Sequence, residues 1–322
     1  MKSTQLCSLS CLKDMSRKNQ TVVTEFLLLG FGSLNGMRII LFVLCLLVYV
    51  MTLLGNITII ILISTSQLLH SPMYFFLCHL SFSDMMLTTD IVPNLLHIIL
   101  EGGRTMPFLE CIIQFQLFGA STGMECLLLS VMSYDRYLAI CNPLSYVSIM
   151  GTKLKHHLVL WSWVLSFAIT LTIATFMSNL HFCGPNVIDH FFCDYVPILR
   201  LSCSDTRLLQ IVDLVLTAPV TLLPFVLIII SYICISIVIL KIPTGTGRQK
   251  AFSTCSSHLT VVCIFYLSLI AIYLIPSSGK SVIALKILSF MYTVITPSLN
   301  PLIYSLRNQE IKTSVTSCIH SL

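Results

Sequence analysis

Three acidic side chains stand inside long runs of apolar residues, where an ionised group is costly. They are Asp84, Asp90 and Glu125, and each charge would cost roughly 2.5 to 3.5 kcal/mol within a membrane helix, so such residues usually face a bundle interior. Counting along regular helices puts Asp84 and Glu125 at similar depth. Two facing carboxylates could share a proton or hold a cation such as sodium. Each could instead form a structural hydrogen bond to a polar residue such as Asn56, Ser130 or Asn300.

A second chemical feature is the stretch "MSYDRYLAIC" at 132–141, which ends an apolar run with an acid and a base side by side. An arginine there is explained by the positive-inside rule, but acids contribute little to that rule. The Asp135 carboxylate, with Tyr137 nearby, could hold the Arg136 guanidinium in one position until another partner competes for it. The stretch therefore predicts a conformational switch.

The elements that must position these residues follow from composition. The chain has 322 residues, of which 56% are hydrophobic and 10% charged, with a mean hydropathy of +0.92. No soluble core could hide so much apolar surface, so the sequence predicts an all-α membrane protein, a bundle of seven transmembrane helices. The runs are interpreted as helices because lipid leaves each backbone group to find a partner within its own segment. They lie at 39–63, 75–100, 111–137, 157–179, 208–240, 258–275 and 282–306.

The orientation of the bundle is predicted from charge and from one glycosylation signal. With the carboxy terminus inside, eight Lys and Arg residues lie in cytoplasmic segments and five in outer loops, a modest positive-inside bias that five more in the amino-terminal tail weaken. Asn19-Gln20-Thr21 is a glycosylation acceptor, which is used on the lumenal side. We therefore expect an extracellular amino-terminal tail at 1–38, a membrane domain at 39–306 and a short cytoplasmic tail at 307–322.

The third run presents one face from its inner end toward the outside. At about 100° per residue, Glu125, Thr122 and Phe118 lie within about 40° of Arg136. A cavity among the third, fifth, sixth and seventh spans would have no charged residue in its predicted lining, and would suit small, mostly neutral ligands. The same residues could instead pack helices without any ligand. The predicted lining is Phe118, Gly119, Thr122, Gly123, Tyr266, Leu269, Tyr273 and Thr293.

Four of the 14 cysteines are expected on the oxidising outer face. Their even number predicts two disulfides, with three connectivities open. His190 lies among them, but the spacing lacks the paired ligands of a zinc site, so no metal site is predicted there. The four are Cys111, Cys183, Cys193 and Cys203.

The segment "PSLNPLIY" at 297–304 is predicted to bend. Pro297 and Pro301 each remove a backbone donor and loosen the helix. Asn300 lies between them, where its side chain could bond the carbonyls that the prolines leave free.

Four blocks of sequence carry a resemblance to a known family. They are "PMYFFLCHLSFSD" at 72–84, "MSYDRYLAICNPL" at 132–144, "KAFSTCSSHLTVV" at 250–262 and "PSLNPLIYSLRN" at 297–308. In this order they resemble the signature blocks of vertebrate olfactory receptors. The resemblance implies a rhodopsin-like G-protein-coupled receptor that binds a small odorant and activates a stimulatory, olfactory-type heterotrimeric G protein to raise cyclic AMP. It also implies the plasma membrane of olfactory cilia as the location.

The resemblance further implies roles for single residues. Cys111 would pair with Cys193, and Cys183 with Cys203, so that the outer loop forms a lid. Asp84 and Glu125 match the mid-membrane acid pair of the family. The residues that would take part in activation and G-protein coupling are Asp135, Arg136, Tyr137, Tyr232, Asn300, Pro301 and Tyr304.

Other functions are less well supported by the sequence. A polytopic transporter or channel using Asp84 and Glu125 is the alternative, but we find no internal hydropathy repeat. An enzyme is not predicted, because the chain lacks HExxH and GxxxxGK[ST] motifs. We expect no cofactor and no nucleic-acid partner, and we expect membrane lipid as the surroundings.

Overall fold

The structure is a computed structural model that describes residues 23–32, 36–66, 69–183, 185–242, 245–274, 282–307, 311 and 313–314. Within helices, it does not describe the side chains at 246–247, 249–254, 273–274 and 306–307. Asn19, the predicted glycosylation site, and most of both predicted tails lie outside the described residues.

The described residues include seven helices that are long and apolar enough to cross a membrane. The bounds are α1 Arg38–Thr65, α2 Pro72–Glu101, α3 Phe108–Cys141, α4 Pro143–Ile149, α5 Thr152–Ser178, α6 Tyr195–Leu201, α7 Arg207–Leu240, α8 Gly245–Leu274, α9 Val282–Phe290, the π-turn Met291–Ile295 and α10 Thr296–Arg307. Each of the first five spans is a single helix, the sixth lies within α8, and the seventh combines α9, the π-turn and α10. The short helices α4 and α6 lie between spans.

Helix α3 lies at the centre of the bundle and packs against α2, α5 and α7. Its middle is closely packed, and residues such as Met124, Leu128 and Met132 are fully buried. Large side chains on α7, including Leu214 and Leu222, are instead exposed on the outer surface, where lipid would cover them. The apolar runs therefore serve both the core and the membrane, as expected for a polytopic protein.

The sixth span begins earlier than its hydropathy predicts. The apolar run starts at 258, whereas α8 starts at Gly245. The first turns have the polar sequence "GTGRQK", which contributes no apolar signal but forms helix readily once the following span is helical. Hydropathy thus identifies the part of a helix that is in lipid and misses its polar extension.

A three-stranded sheet covers one end of the bundle, which we call the sheet end. Strand β1, Glu25–Leu28, pairs antiparallel with β2, Arg104–Pro107, and parallel with β3, Val187–Ile188. Phe26 and Leu28 alternate with exposed neighbours and are fully buried. The sequence prediction of helices alone missed this sheet, because each strand has at most four residues and its partners lie far away in the chain.

The seventh span contains a π-turn at Met291–Ile295, just before the segment 297–304 in which we predicted a bend, and that segment itself lies within α10. Pro297 and Pro301 lack the N–H groups that a regular α-helix needs at these positions. Asn56 of α1 donates to the Pro297 carbonyl at 3.4 Å. Asn300 does not have the role that we predicted, since its side chain bonds Asp84 instead.

Gly30 is the position where the connection from β1 to the bundle is most constrained. Its φ is +61°, and a Cβ added there would lie 2.3 Å from Cγ2 of Ile98. Gly32 has a similar φ of +79° but nothing within 4 Å of an added Cβ. The two glycines therefore separate the effect of backbone conformation from that of a steric clash.

We expect Gly30→Ala to destabilise the protein more than Gly32→Ala, which should cost about 1 to 2 kcal/mol from backbone strain alone. Thermal unfolding of the two purified variants in detergent would measure the difference. Equal losses would show that Ile98 does not constrain Gly30.

Candidate functional site

A cavity of about 370 Å³ lies inside the bundle near the sheet end, which is within the size range of sites for small molecules. It lies beneath the segment that joins β3 to α6, and α3, α5, α7, α8 and α9 form its walls. Its lining is mostly apolar, with Phe118, Phe192 and Ile272 among the larger residues. A mostly apolar space of this size can hold a small organic ligand.

Most of the predicted lining residues reach this cavity. They are Phe118, Gly119, Thr122, Gly123 and Leu269. Tyr266 and Thr293 do not line it: Tyr266 contributes to a groove of about 570 Å³ between α7 and α8, on the outer surface. Thr293 is fully buried, and its hydroxyl donates to the Ser289 carbonyl at 2.7 Å. Tyr273 has a side chain outside the described residues.

The seventh span presents Ser289 and Tyr292 to the cavity in place of Thr293. Tyr292 lies in the π-turn, where the wider helical turn changes the direction of each side chain relative to an α-helix. Its hydroxyl donates to Oγ1 of Thr122 at 2.8 Å. This hydrogen bond joins the third and seventh spans at the cavity wall.

Helix α5 forms a wall of the cavity that the sequence prediction did not include. Ser166 and Thr170 line it, and they pack against the glycines of α3. A Cβ added at Gly119 would lie 2.6 Å from Cγ2 of Thr170, and one at Gly123 would lie 3.0 Å from Oγ of Ser166. Both glycines thus serve helix packing as well as the lining, and their Gly-x-x-x-Gly spacing is a sequence signal for such close contact.

The loop between α5 and α7, which contains β3 and α6, covers the cavity and is called the lid. Covalent and polar contacts fasten it to the bundle. Disulfides join Cys111 to Cys193 and Cys183 to Cys203, the pairing that the family resemblance implied. In addition, Gln114 of α3 accepts a hydrogen bond from the backbone N–H of Cys193 at 2.9 Å. The lid is therefore held directly on the end of α3.

Lys286 ties the lid to the seventh span, a role that sequence reasoning missed. It is only 5% exposed, and its ammonium donates to the Gly30 carbonyl and to the Asp189 carboxylate. Burial, and then the charge of Lys286, lower the pKa of nearby His190 to about 3, so that this imidazole is neutral at neutral pH. The amino-terminal segment, the lid and α9 thus meet at one ammonium group.

Two carboxylates line the cavity, which contradicts the expectation of a lining without charge. Asp194 follows the disulfide-bonded Cys193, and Asp213 lies on α7. Burial, and then the charge of Asp213, raise the pKa of Asp194 to about 6, although the N–H of Tyr195 donates to it and acts in the opposite direction. The reason for the error is that neither residue belongs to the helix faces from which the lining was predicted.

At the opposite end of α3, the predicted Asp135 and Arg136 pair is formed, with a distance of 3.0 Å between the carboxylate and the guanidinium. A third residue joins it, because the hydroxyl of Tyr146 on α4 donates to Asp135 at 2.9 Å. Burial and the Asp135 carboxylate raise the pKa of Tyr146, so the phenol remains a donor at neutral pH. Asp135 itself is fully buried.

The other residues predicted for activation lie near this pair or along the seventh span. The Tyr232 hydroxyl and Nδ1 of His258 are 2.6 Å apart, which links α7 to α8. Tyr304 is buried in the core of the bundle, and Tyr137 is partly buried beside α7.

Comparison with known proteins identifies the family. A family model described as olfactory receptor matches residues 44–321. Olfactory receptor 5G3 of Homo sapiens is 47% identical over 298 residues, which cover 92% of this chain and 95% of the relative. Olfactory receptor 6B1 of Homo sapiens is 46% identical and Olfactory receptor 1468 of Rattus norvegicus 45% identical, with the same coverage. The chain belongs to the olfactory receptor family.

Family membership determines the general function. Olfactory receptors respond to odorants and couple to G proteins, and they are not enzymes. With seven candidate spans, this olfactory receptor is a multi-pass membrane protein. The transporter or channel alternative is therefore not retained.

Between the cavity and Arg136, this olfactory receptor carries its buried acid pair. Asn300 of α10 donates to both oxygens of Asp84, at 3.1 and 3.0 Å. Glu125 is 2% exposed, and its Oε1 has no hydrogen-bond partner among the described residues. The contact that we considered as a structural hydrogen bond thus exists for Asp84, whereas Glu125 retains an oxygen that could carry a proton or contact a cation.

Proposed function

We propose that this olfactory receptor binds a small odorant with a mainly apolar body in the 370 Å³ cavity. The observation that carries the proposal is the position of the cavity at one end of α3, whose other end bears Arg136. A ligand in this cavity contacts the same rigid helix that ends in the switch pair. Binding can then alter that pair to the extent that the ligand prefers one arrangement of the bundle.

We also propose that the sheet end faces the outside of the cell. The glycosylation acceptor at Asn19 supports this orientation, and outside the amino-terminal tail eight Lys and Arg residues lie at the Arg136 end against five at the sheet end. The disulfides at the sheet end are also typical of an oxidising compartment. The plasma membrane of sensory cilia is the location that agrees with the family.

The proposed partner at the Arg136 end is a stimulatory, olfactory-type G protein, so that activation raises cyclic AMP. In the resting arrangement Asp135 neutralises Arg136, and Tyr146 holds Asp135 in place. A G protein that contacts Arg136 must compete with this carboxylate. Weakening the hold on Arg136 should therefore raise signalling without a ligand.

The cavity is tested by removing one hydroxyl at a time. We expect Thr122→Val to shift odorant potency, because it removes the group that accepts from Tyr292 and faces the cavity. The matched control is Thr293→Val, which removes a hydroxyl of the same kind outside the cavity. Cyclic AMP dose-response curves would be compared at equal surface expression. Equal effects of both substitutions, or none from Thr122→Val, would argue against the cavity as the ligand site.

The switch is tested by basal signalling. Asp135→Asn should raise ligand-free cyclic AMP several-fold. Tyr146→Phe should raise it by a smaller factor, because the carboxylate that holds Arg136 remains. The hydrogen bond from Tyr146 that this variant loses is of the kind made to a charged group, which contributes about 1.5 to 3 kcal/mol. Tyr134→Phe is the control, since Tyr134 is exposed on the same helix. Unchanged basal output in Asp135→Asn at normal surface level would exclude Asp135 as the lock.

We propose that Asp84 and Glu125 together form a site for a sodium ion or a shared proton. Two buried carboxylates at similar depth are stable only if a positive charge or a proton reduces their repulsion. Glu125→Gln removes one charge with little change of shape, and should abolish the dependence of odorant potency on sodium and pH. If the variant keeps the wild-type dependence on both, the acids do not form such a site.

A further inference from the structure

We propose that the odorant of this receptor carries a protonated amine, bound by Asp213 and Asp194 at the wall of the cavity. The proposal deepens the function proposed above and rests on it, because it assigns a chemical class to the ligand of the same cavity. Its basis is the pair of carboxylates together with the space beside them.

The first support is the position of the two acids. Asp194 lies in the lid and Asp213 lies about two turns inside α7, and both line the cavity. They are close enough that the charge of Asp213 affects the titration of Asp194. A ligand nitrogen at this wall can therefore interact with two carboxylates from different elements.

The second support is that no lysine or arginine forms an ion pair with them in the part of the chain that the structure describes. The described lining of the cavity contains no lysine or arginine, and neither acid forms a salt bridge among the described residues. Lys286 follows the lining residue Leu285 in the chain, but its ammonium is bonded to Asp189 and the Gly30 carbonyl. The cavity thus has a net negative wall.

Two partly buried carboxylates without a cation are energetically unfavourable, because each loses hydration and each repels the other. A protonated amine relieves both penalties, since it supplies one positive charge and several N–H donors. The raised pKa of Asp194, about 6, still leaves this carboxylate mainly ionised at neutral pH. A neutral alcohol would supply one donor and no charge.

The rest of the cavity determines the body of the ligand. Phe118, Ile169, Ile173, Leu269 and Ile272 provide apolar surface away from the acids. The hydroxyl of Tyr195 is buried at the same wall, without a hydrogen-bond partner among the described residues, and can accept from an ammonium group. These features fit an alkyl or aryl amine with a single charged end.

The test compares amines with alcohols of the same shape. Cells that express the receptor with the olfactory G protein would be exposed to n-alkylamines from butylamine to decylamine and to the matching alcohols. Wild type, Asp213→Asn and Asp194→Asn would be compared at equal surface level. Asn can retain the hydrogen bond that Asp194 accepts from the N–H of Tyr195, so this variant should fold. Asp205→Asn is the control, because Asp205 is an exposed acid that pairs with Arg207 outside the cavity.

We expect at least one amine to act at a concentration about tenfold or more below that of its alcohol, as a charge-assisted hydrogen bond would give. Asp213→Asn should remove this preference by lowering the potency of the amine more than that of its alcohol, and Asp205→Asn should leave the potency of both unchanged. Alcohols that match or exceed their amines in wild type, or an Asp213→Asn variant that weakens both classes equally, would overturn the assignment of an amine.

A binding measurement separates this proposal from the proposed function. The thermal unfolding of the purified full chain would be followed with the same amines and alcohols, because a ligand that binds the folded state raises the unfolding temperature. Stabilisation by an amine in wild type but not in Asp213→Asn, without any cyclic AMP response, would support the amine site and contradict the proposed signalling. A cyclic AMP response to alcohols alone would contradict the amine and leave the receptor function in place.

Discussion

Each backbone polar group that this bundle carries into lipid needs a partner inside the protein, and several contacts between helices follow from this constraint. Pro301 leaves the Pro297 carbonyl without its helical donor, and Asn56 from another helix supplies one. Gln114 accepts from the lid through its carbonyl oxygen and donates to the Asp90 carbonyl through its amide. Polar side chains therefore form specific hydrogen bonds between helices at particular depths. The apolar side chains between them contribute packing contacts.

The spans could be predicted from the sequence because hydrophobic length is a local property that lipid thickness makes decisive. The strands could not, since β1 pairs with segments that lie about eighty and a hundred and sixty residues further along the chain. The start of α8 was also missed, because its first turns are polar and carry no hydropathy signal. They are helical because they continue the apolar span that follows.

The candidate site was predictable where it follows one helix and unpredictable where it joins several. Phe118, Thr122 and Glu125 share a face of α3 because α-helical geometry requires it, and the first two line the cavity. Tyr292 replaces Thr293 at the wall because of the π-turn, which α-helical counting cannot anticipate. Asp194 and Asp213 line the same cavity because the lid, which a disulfide joins to α3, places Asp194 beside α7. Their proximity is a tertiary effect without a local signal.

Helix α3 is held by side-chain contacts at both ends, and this arrangement limits how a ligand could act. Tyr292 bonds it beside the cavity, and Tyr146 of α4 bonds its Asp135 at the opposite end. A ligand that binds equally well to every arrangement of these contacts does not change the equilibrium between the arrangements, however tightly it binds. To signal, it must favour an arrangement in which a contact at the far end is weaker. An ammonium group between Asp194 and Asp213 would meet this requirement if it drew the lid and α7 together, because α7 also carries Tyr232, whose hydroxyl is bonded to His258 of α8.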